Sequence, residues 1–147
     1  MQKPIGLSPY LVVRGAAEAI DFYKRAFGAV ELYRLNDPDG QRIGHAQMKI
    51  GANEFMLADE YPDFGAVSPA TLGGCPITLH IDADDADGFV AHALAQGATL
   101  QRAVKEEFFG SRRGMVQDPF GYSWSILSKV EEVSPAEMQR RWDESGE

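Results

Sequence analysis

Apolar positions along this chain keep two rhythms, and the order in which those rhythms follow one another occurs twice. Leu7 to Val13 is a short apolar run rich in Val and Tyr, which reads as a strand ended by Gly15. From Ala16 to Phe27 the apolar residues fall at Ala19, Ile20, Phe22, Tyr23, Ala26 and Phe27, the spacing of one helical face. Gly28 stands where a helix-ending glycine belongs. Strands are expected at Glu31 to Leu35, Ile43 to Ile50 and Asn53 to Ala58, with Asp37-Pro38-Asp39-Gly40 and Gly51 as turns. Tyr61 to Cys75 holds prolines and glycines without a clear period and reads as a linker.

The order then returns. Ile77 to Ile81 is a strand, Asp82 to Asp85 offers helix-starting carboxylates, and Ala86 to Gln96 is helical up to Gly97. Further strands are expected at Thr99 to Val104, Gly114 to Gln117 and Tyr122 to Leu127, the last introduced by Asp118-Pro119-Phe120-Gly121. A shift of 69 residues lays Gly28-Ala29 on Gly97-Ala98, and Phe55 and Leu57 on Trp124 and Ile126. The identities are few, so the repeat rests on the order of elements. The expected fold class is α+β: two βαβββ modules at about 5–60 and 76–128, a linker at about 61–75, and a C-terminal helix at about 134–143. That helix starts at Ser134-Pro135-Ala136-Glu137, a capping box with proline in its first turn.

Composition narrows the function. A chain of 147 residues is one domain's length and sufficient for a core without staples. A formal net charge of -8 argues against non-specific binding to nucleic acid or to an anionic membrane. The single cysteine, Cys75, cannot close an internal disulfide, so a reducing, cytoplasmic setting is expected. The start of the chain shows no signal-peptide pattern, and no stretch approaches the length of a bilayer span.

An ordered set of short pieces then carries a resemblance. Pro9-Tyr10-Leu11-Val12-Val13, Ala19-Ile20-Asp21-Phe22-Tyr23 and Phe27-Gly28-Ala29 resemble the first module of the vicinal-oxygen-chelate superfamily, which holds the glyoxalases and bleomycin-resistance proteins. Ile43-Gly44-His45-Ala46, Met56-Leu57-Ala58-Asp59-Glu60, Asp118-Pro119-Phe120-Gly121 with Trp124, and the tail Val130 to Pro135 resemble its PhnB-like branch. The resemblance implies curved sheets around a cavity, homodimers, and enzymes that hold a divalent metal through His and Glu. It also implies non-enzymatic members that sequester bleomycin-type antibiotics. The four family ligand positions fall on Ser8, Met56, Pro76 or Ile77, and Ser125. None of these is an ordinary ligand for such an ion. No metal and no other cofactor is expected at the standard site.

Strand alternation adds a cavity face: Ser8, Tyr10, His45, Gln47, Met56, Thr78, His80, Ser123 and Ser125. The candidate ligand-binding residues are Tyr10, His45, Gln47, Met56, His80, Arg112 and Ser125. His45 is the best candidate for a catalytic group, as a base or hydrogen-bonding partner. A non-standard ion held by His45, His80 and Glu60 is a further arrangement. Arg112 is a candidate partner for an anionic ligand, with a solvated strand-edge arginine as the alternative. Cys75 has no base beside it in sequence and reads as an incidental thiol. The expectation is a homodimer that binds a small organic molecule. The alternatives are a metal-dependent lyase, isomerase or dioxygenase-like enzyme of the same superfamily, and a scaffolding dimer.

Overall fold

The computed structural model describes residues 1–145. The chain divides into two compact units. The first is Met1–Pro76 with Pro119–Gly121, and the second is Ile77–Asp118 with the chain from Tyr122 onward. The first unit holds β1 (Tyr10–Val13), α1 (Ala16–Phe27), β2 (Val30–Asn36), β3 (Ile43–Ile50) and β4 (Asn53–Asp59). Its sheet has the order β1-β4-β3-β2, with β1 parallel to β4 and the other pairs antiparallel. A short helix, α2 (Pro69–Leu72), follows. The second unit repeats the plan with β5 (Thr78–Asp82), α3 (Ala86–Ala95), β6 (Thr99–Glu107), β7 (Ser111–Gln117) and β8 (Ser123–Lys129), in the order β5-β8-β7-β6. The helix α4 (Pro135–Ser145) ends the described chain. The expected α+β pair of βαβββ modules is therefore present. Among the described residues no helix is long and apolar enough to cross a membrane.

In the first unit the helical period does what it promises. Ala16, Ala19, Ile20, Phe22, Tyr23, Ala26 and Phe27 of α1 are buried. The helix packs on β1, β3 and β4, whose buried positions include Leu11, Val13, Ala46, Met48, Phe55 and Leu57. Phe22 and Tyr23 also pack edge-on or tilted against Phe120 of the Asp118–Gly121 turn. Such ring pairs add about 0.5–1.5 kcal/mol beyond the area they bury. Gly28 ends α1 in the left-handed region, its N–H bonded to the Tyr23 carbonyl.

The start of α1 has no cap of its own, because Gly15 brings no side chain. Asp59 supplies it from the end of β4. Its Oδ1 accepts from the N–H groups of Gly15 (3.1 Å) and Ala16 (2.8 Å), and its Oδ2 from that of Ile43 (2.7 Å). In the second unit Ser128, 69 residues on, accepts from the N–H of Ala86 at the start of α3 (3.2 Å). Asp85 caps the same helix through Gly88 N–H (3.1 Å). A last-strand side chain thus ties down the helix start in both units.

Several boundaries differ from the periodic reading. β1 begins at Tyr10 rather than Leu7, since residues 1–9 are exposed. Only the Pro9 carbonyl joins the ladder there, accepting from Met56 N–H, and proline has no N–H to give in return. The strands β6 and β7 run longer than expected and meet as a hairpin, Glu107 opposite Ser111. Charged residues interrupt the apolar alternation across 105–113, which hid these strands. The region read as a linker is built: Ser68 accepts from Thr71 N–H at the start of α2, with Pro69 as its first residue.

Candidate functional site

Each sheet buries one face under its helix and leaves the other open. On the open face of the first unit, the register sets Tyr10 beside Met56, Gln47 beside Met56 on the other side, and Tyr33 beside Gln47. His45 follows two residues before Gln47 and pairs with Leu35. These side chains are joined. The Tyr10 hydroxyl lies 2.9 Å from His45 Nδ1, and His45 Nε2 lies 3.1 Å from Gln47 Oε1. Gln47 Nε2 donates to Glu54 Oε1 at 3.0 Å. A consistent proton arrangement has the tyrosine hydroxyl donating to Nδ1 and the Nε2 proton going to Gln47. Partial burial, with Tyr33 adding a smaller push, raises the Tyr10 pKa above that of an ordinary phenol. The hydroxyl therefore stays protonated and able to donate at neutral pH. Tyr10 and Tyr33 flank the imidazole, their rings centred 5.4 and 5.8 Å from it.

The open face of the second unit carries His80 beside Ser125, and Ser125 beside Met115. His80 Nδ1 lies 3.2 Å from the Ser125 hydroxyl, and Nε2 lies 3.0 Å from Asp82 Oδ1. By register, His80 holds the place of Tyr10, Ser125 that of Met56, and Met115 that of Gln47. Two residues before Met115, the place of His45 is held by Arg113.

Of the residues expected at a site, Tyr10, His45, Gln47 and Met56 lie together in the first unit, and His80 and Ser125 together in the second. Arg112 is elsewhere. It alternates with Arg113, shares the side of Gly114 that faces Val90 of α3, and meets Asp87 of that helix. Its Nε and Nη2 donate to the two Asp87 oxygens at 2.8 and 3.1 Å. This pairing holds the Asp87 carboxyl below its ordinary range. Sequence reasoning did not find Tyr33, Leu35 or Glu54 as members of the first open face. Their place depends on pairing register, and β2 carries irregularities that break simple alternation.

The positions that hold the metal in the resembling family do not fit one here. Met56 offers a thioether and Ser125 a neutral hydroxyl already beside His80. Ser8 and Ile77 are exposed and lie outside the strands. A hard divalent ion needs carboxylate or imidazole at such positions. Among the described residues no three His, Cys, Asp or Glu side chains converge on one point. Glu60, considered with His45 and His80 for another arrangement, accepts from Ser68 N–H (2.7 Å), the Ser68 hydroxyl and the Thr71 hydroxyl.

Known proteins match this architecture. The Mycobacterium bovis protein Mb0911c is 43% identical over 144 residues, covering 96% of this chain and 94% of that one. The Arabidopsis thaliana protein At5g48480 is 31% identical over 120 residues, covering 76% of this chain and 70% of that one. The X-ray structure of that Arabidopsis gene product matches with a TM-score of 0.68 at 26% identity, covering 84% of this chain and 98% of that one. The PhnB protein of Bacillus cereus shares the fold, with a TM-score of 0.64 at 20% identity over 83% of this chain and 98% of that one. The family model for the Glyoxalase/Bleomycin resistance protein/Dioxygenase superfamily matches residues 6–126, and this chain belongs to that superfamily.

Proposed function

We propose that this protein is a homodimer that binds a small organic molecule on its open sheet faces, without the divalent metal that the family resemblance implies for enzymes of this fold. The observation that carries this reading is the chain Tyr10–His45–Gln47–Glu54, held on a half-exposed face between two tyrosine rings. A few placed polar groups among apolar and aromatic walls are what small-ligand sites share. His45 is the organising group. Both of its nitrogens already have partners, so it lacks the bare lone pair a base must present and instead fixes the Tyr10 hydroxyl, whose oxygen can still accept from a ligand. The chemistry of Met56 and Ser125 supports the absence of the metal. The exposed Leu32, Tyr33 and Leu35 of the edge strand β2 support a second copy.

Two measurements test this. Protein loaded with Zn, Mn, Ni or Fe(II) and then dialysed is expected to retain well under one ion per chain by elemental analysis. One tightly held ion per chain would end the metal-free reading. In a thermal-shift screen of small organic molecules, those that stabilise the wild type are expected to lose most of their effect in His45→Ala. Turnover of the methylglyoxal–glutathione adduct that vanishes in His45→Ala would replace this reading with an enzymatic one.

A further inference from the structure

In the second unit, the hairpin turn between β6 and β7 and the helix α4 bound a cleft of about 370 Å³. Small-molecule pockets span roughly 300–1,000 Å³. Three cations line it, Arg102, Lys105 and Arg113, together with the rings of Phe108, Phe109 and Trp142. Glu107 is the single carboxylate among the described residues that line it.

Among the described residues, these cations differ from their neighbours in having no carboxylate partner. Arg112 is paired with Asp87, Arg141 with Glu131 and Glu137, and Arg140 with Glu137 and Glu144. Arg102 and Lys105 make no ion pair among the described residues. Arg113 reaches, among the described residues, only the sulfur of Met115, at 3.4 Å. The register brings the three to one side of the sheet: Arg102 opposite Met115, Lys105 opposite Arg113. On a chain of net charge -8, three cations around one cleft with no carboxylate partner among the described residues are a local reversal of sign.

The aromatic wall is held in place independently. Phe108 packs edge-on against Trp142 at 5.0 Å and against Phe109 at 5.2 Å. Arg141 donates to the Phe108 carbonyl at 2.9 Å, fastening α4 to the turn. Gly110 permits the turn itself. Its φ is 87°, and a Cβ there would stand 2.6 Å from the Glu131 carbonyl oxygen.

We propose that this cleft binds a small aromatic anion. The anionic group is held by Arg113 with Lys105 and Arg102, and the ring lies against Phe108 and Trp142. Guanidinium groups match carboxylate geometry with two parallel hydrogen bonds. The competing explanation is that cations on the edge strand β6 discourage strand addition. It accounts for Arg102 and Lys105. It does not account for Arg113, on the interior strand β7, or for the aromatic wall. Arg113 stands on the second unit's open face, so the cleft extends the open-face reading, but its residues are not those of the Tyr10–His45–Gln47–Glu54 chain, and its test can fail or succeed independently of that site.

The test uses the full chain with 1-naphthoate as the probe, 1-naphthamide as its uncharged counterpart, and inorganic phosphate as the anion without a ring. Calorimetry is expected to show saturable binding of one 1-naphthoate per chain, weakening as salt rises. Arg113→Gln and Lys105→Gln are each expected to weaken it about tenfold or more. Arg113→Lys should restore part of the loss. Tryptophan emission provides a second readout, since Trp142 is 46% exposed and Trp124 only 4%. Trp142→Phe should remove most of the emission change on titration. Circular dichroism confirms that each variant folds, and the exposed Lys105 makes its variant the safest in this respect. Binding of 1-naphthamide or phosphate as tight as that of 1-naphthoate would overturn the proposal. So would unchanged affinity in both glutamine variants, or no saturable binding of 1-naphthoate.

Discussion

Two neighbouring carboxylates at the close of the first module show how much a single side chain settles. Asp59 ties the helix start to the sheet, while Glu60 gathers the segment that follows. Hydrogen bonds from the Ser68 hydroxyl, the Thr71 hydroxyl and the Ser68 N–H, in that order, pull the Glu60 pKa down to about 2. Arg14 assists from 3.8 Å, and its Nη2 also donates to the Thr71 hydroxyl at 2.7 Å. All of these bonds favour the charged form, so the folded pKa lies below the unfolded one. The stabilisation is then complete above the unfolded value of 4.5 and lost as pH falls from there towards 2. Replacing Glu60 with Gln is expected to cost about 1–3 kcal/mol at neutral pH. The difference between the two proteins should shrink steadily below pH 4.5. Urea midpoints measured against pH check this, and parallel curves for the two proteins would refute it.

Helix starts are held differently in the two modules, and the difference is measurable. Asp59 receives three backbone N–H groups, two of them at the start of α1, and α1 has no other side-chain cap among the described residues. Ser128 receives one, and α3 keeps Asp85 as a second cap. Asp59→Ala leaves several donors without a partner and is expected to cost at least about 2 kcal/mol. Ser128→Ala is expected to cost about 0.5–1 kcal/mol, because Asp85 still serves α3. Chemical denaturation of both variants is the check, and equal losses would show that the count of accepted bonds does not set the cost. The same comparison explains part of the motif Met56-Leu57-Ala58-Asp59-Glu60. Its two acidic residues are structural: one is a cap, the other a clasp for Ser68 and Thr71.

For the whole chain, the proposed dimer gives the broadest expectation. Light scattering at micromolar concentration should report about twice the mass of one chain. Leu35→Asp, on the exposed edge strand β2, should shift it towards the monomer; a monomeric wild type would refute the dimer. The architecture itself was legible in the order of apolar periods, because a helix under a half-buried sheet imposes one period on each element wherever it occurs. Gly28, the buried face of α1 and the alternation of His45 and Gln47 with Ala46 and Met48 all follow from that local rule. The single shift of 69 was an average. Tyr10 corresponds to His80 at 70 residues, Met56 to Ser125 at 69, and Gln47 to Met115 at 68. Partnership was not legible. Adjacent arginines look alike in sequence, yet Arg112 meets a carboxylate 25 positions away and Arg113 faces the cleft. Nor did local pattern say that Asp59 would cap a helix 43 positions earlier. Periodicity is a property of neighbours along the chain and is written there directly. Which charges are neutralised and which are left to meet a ligand depends on segments that only folding brings together.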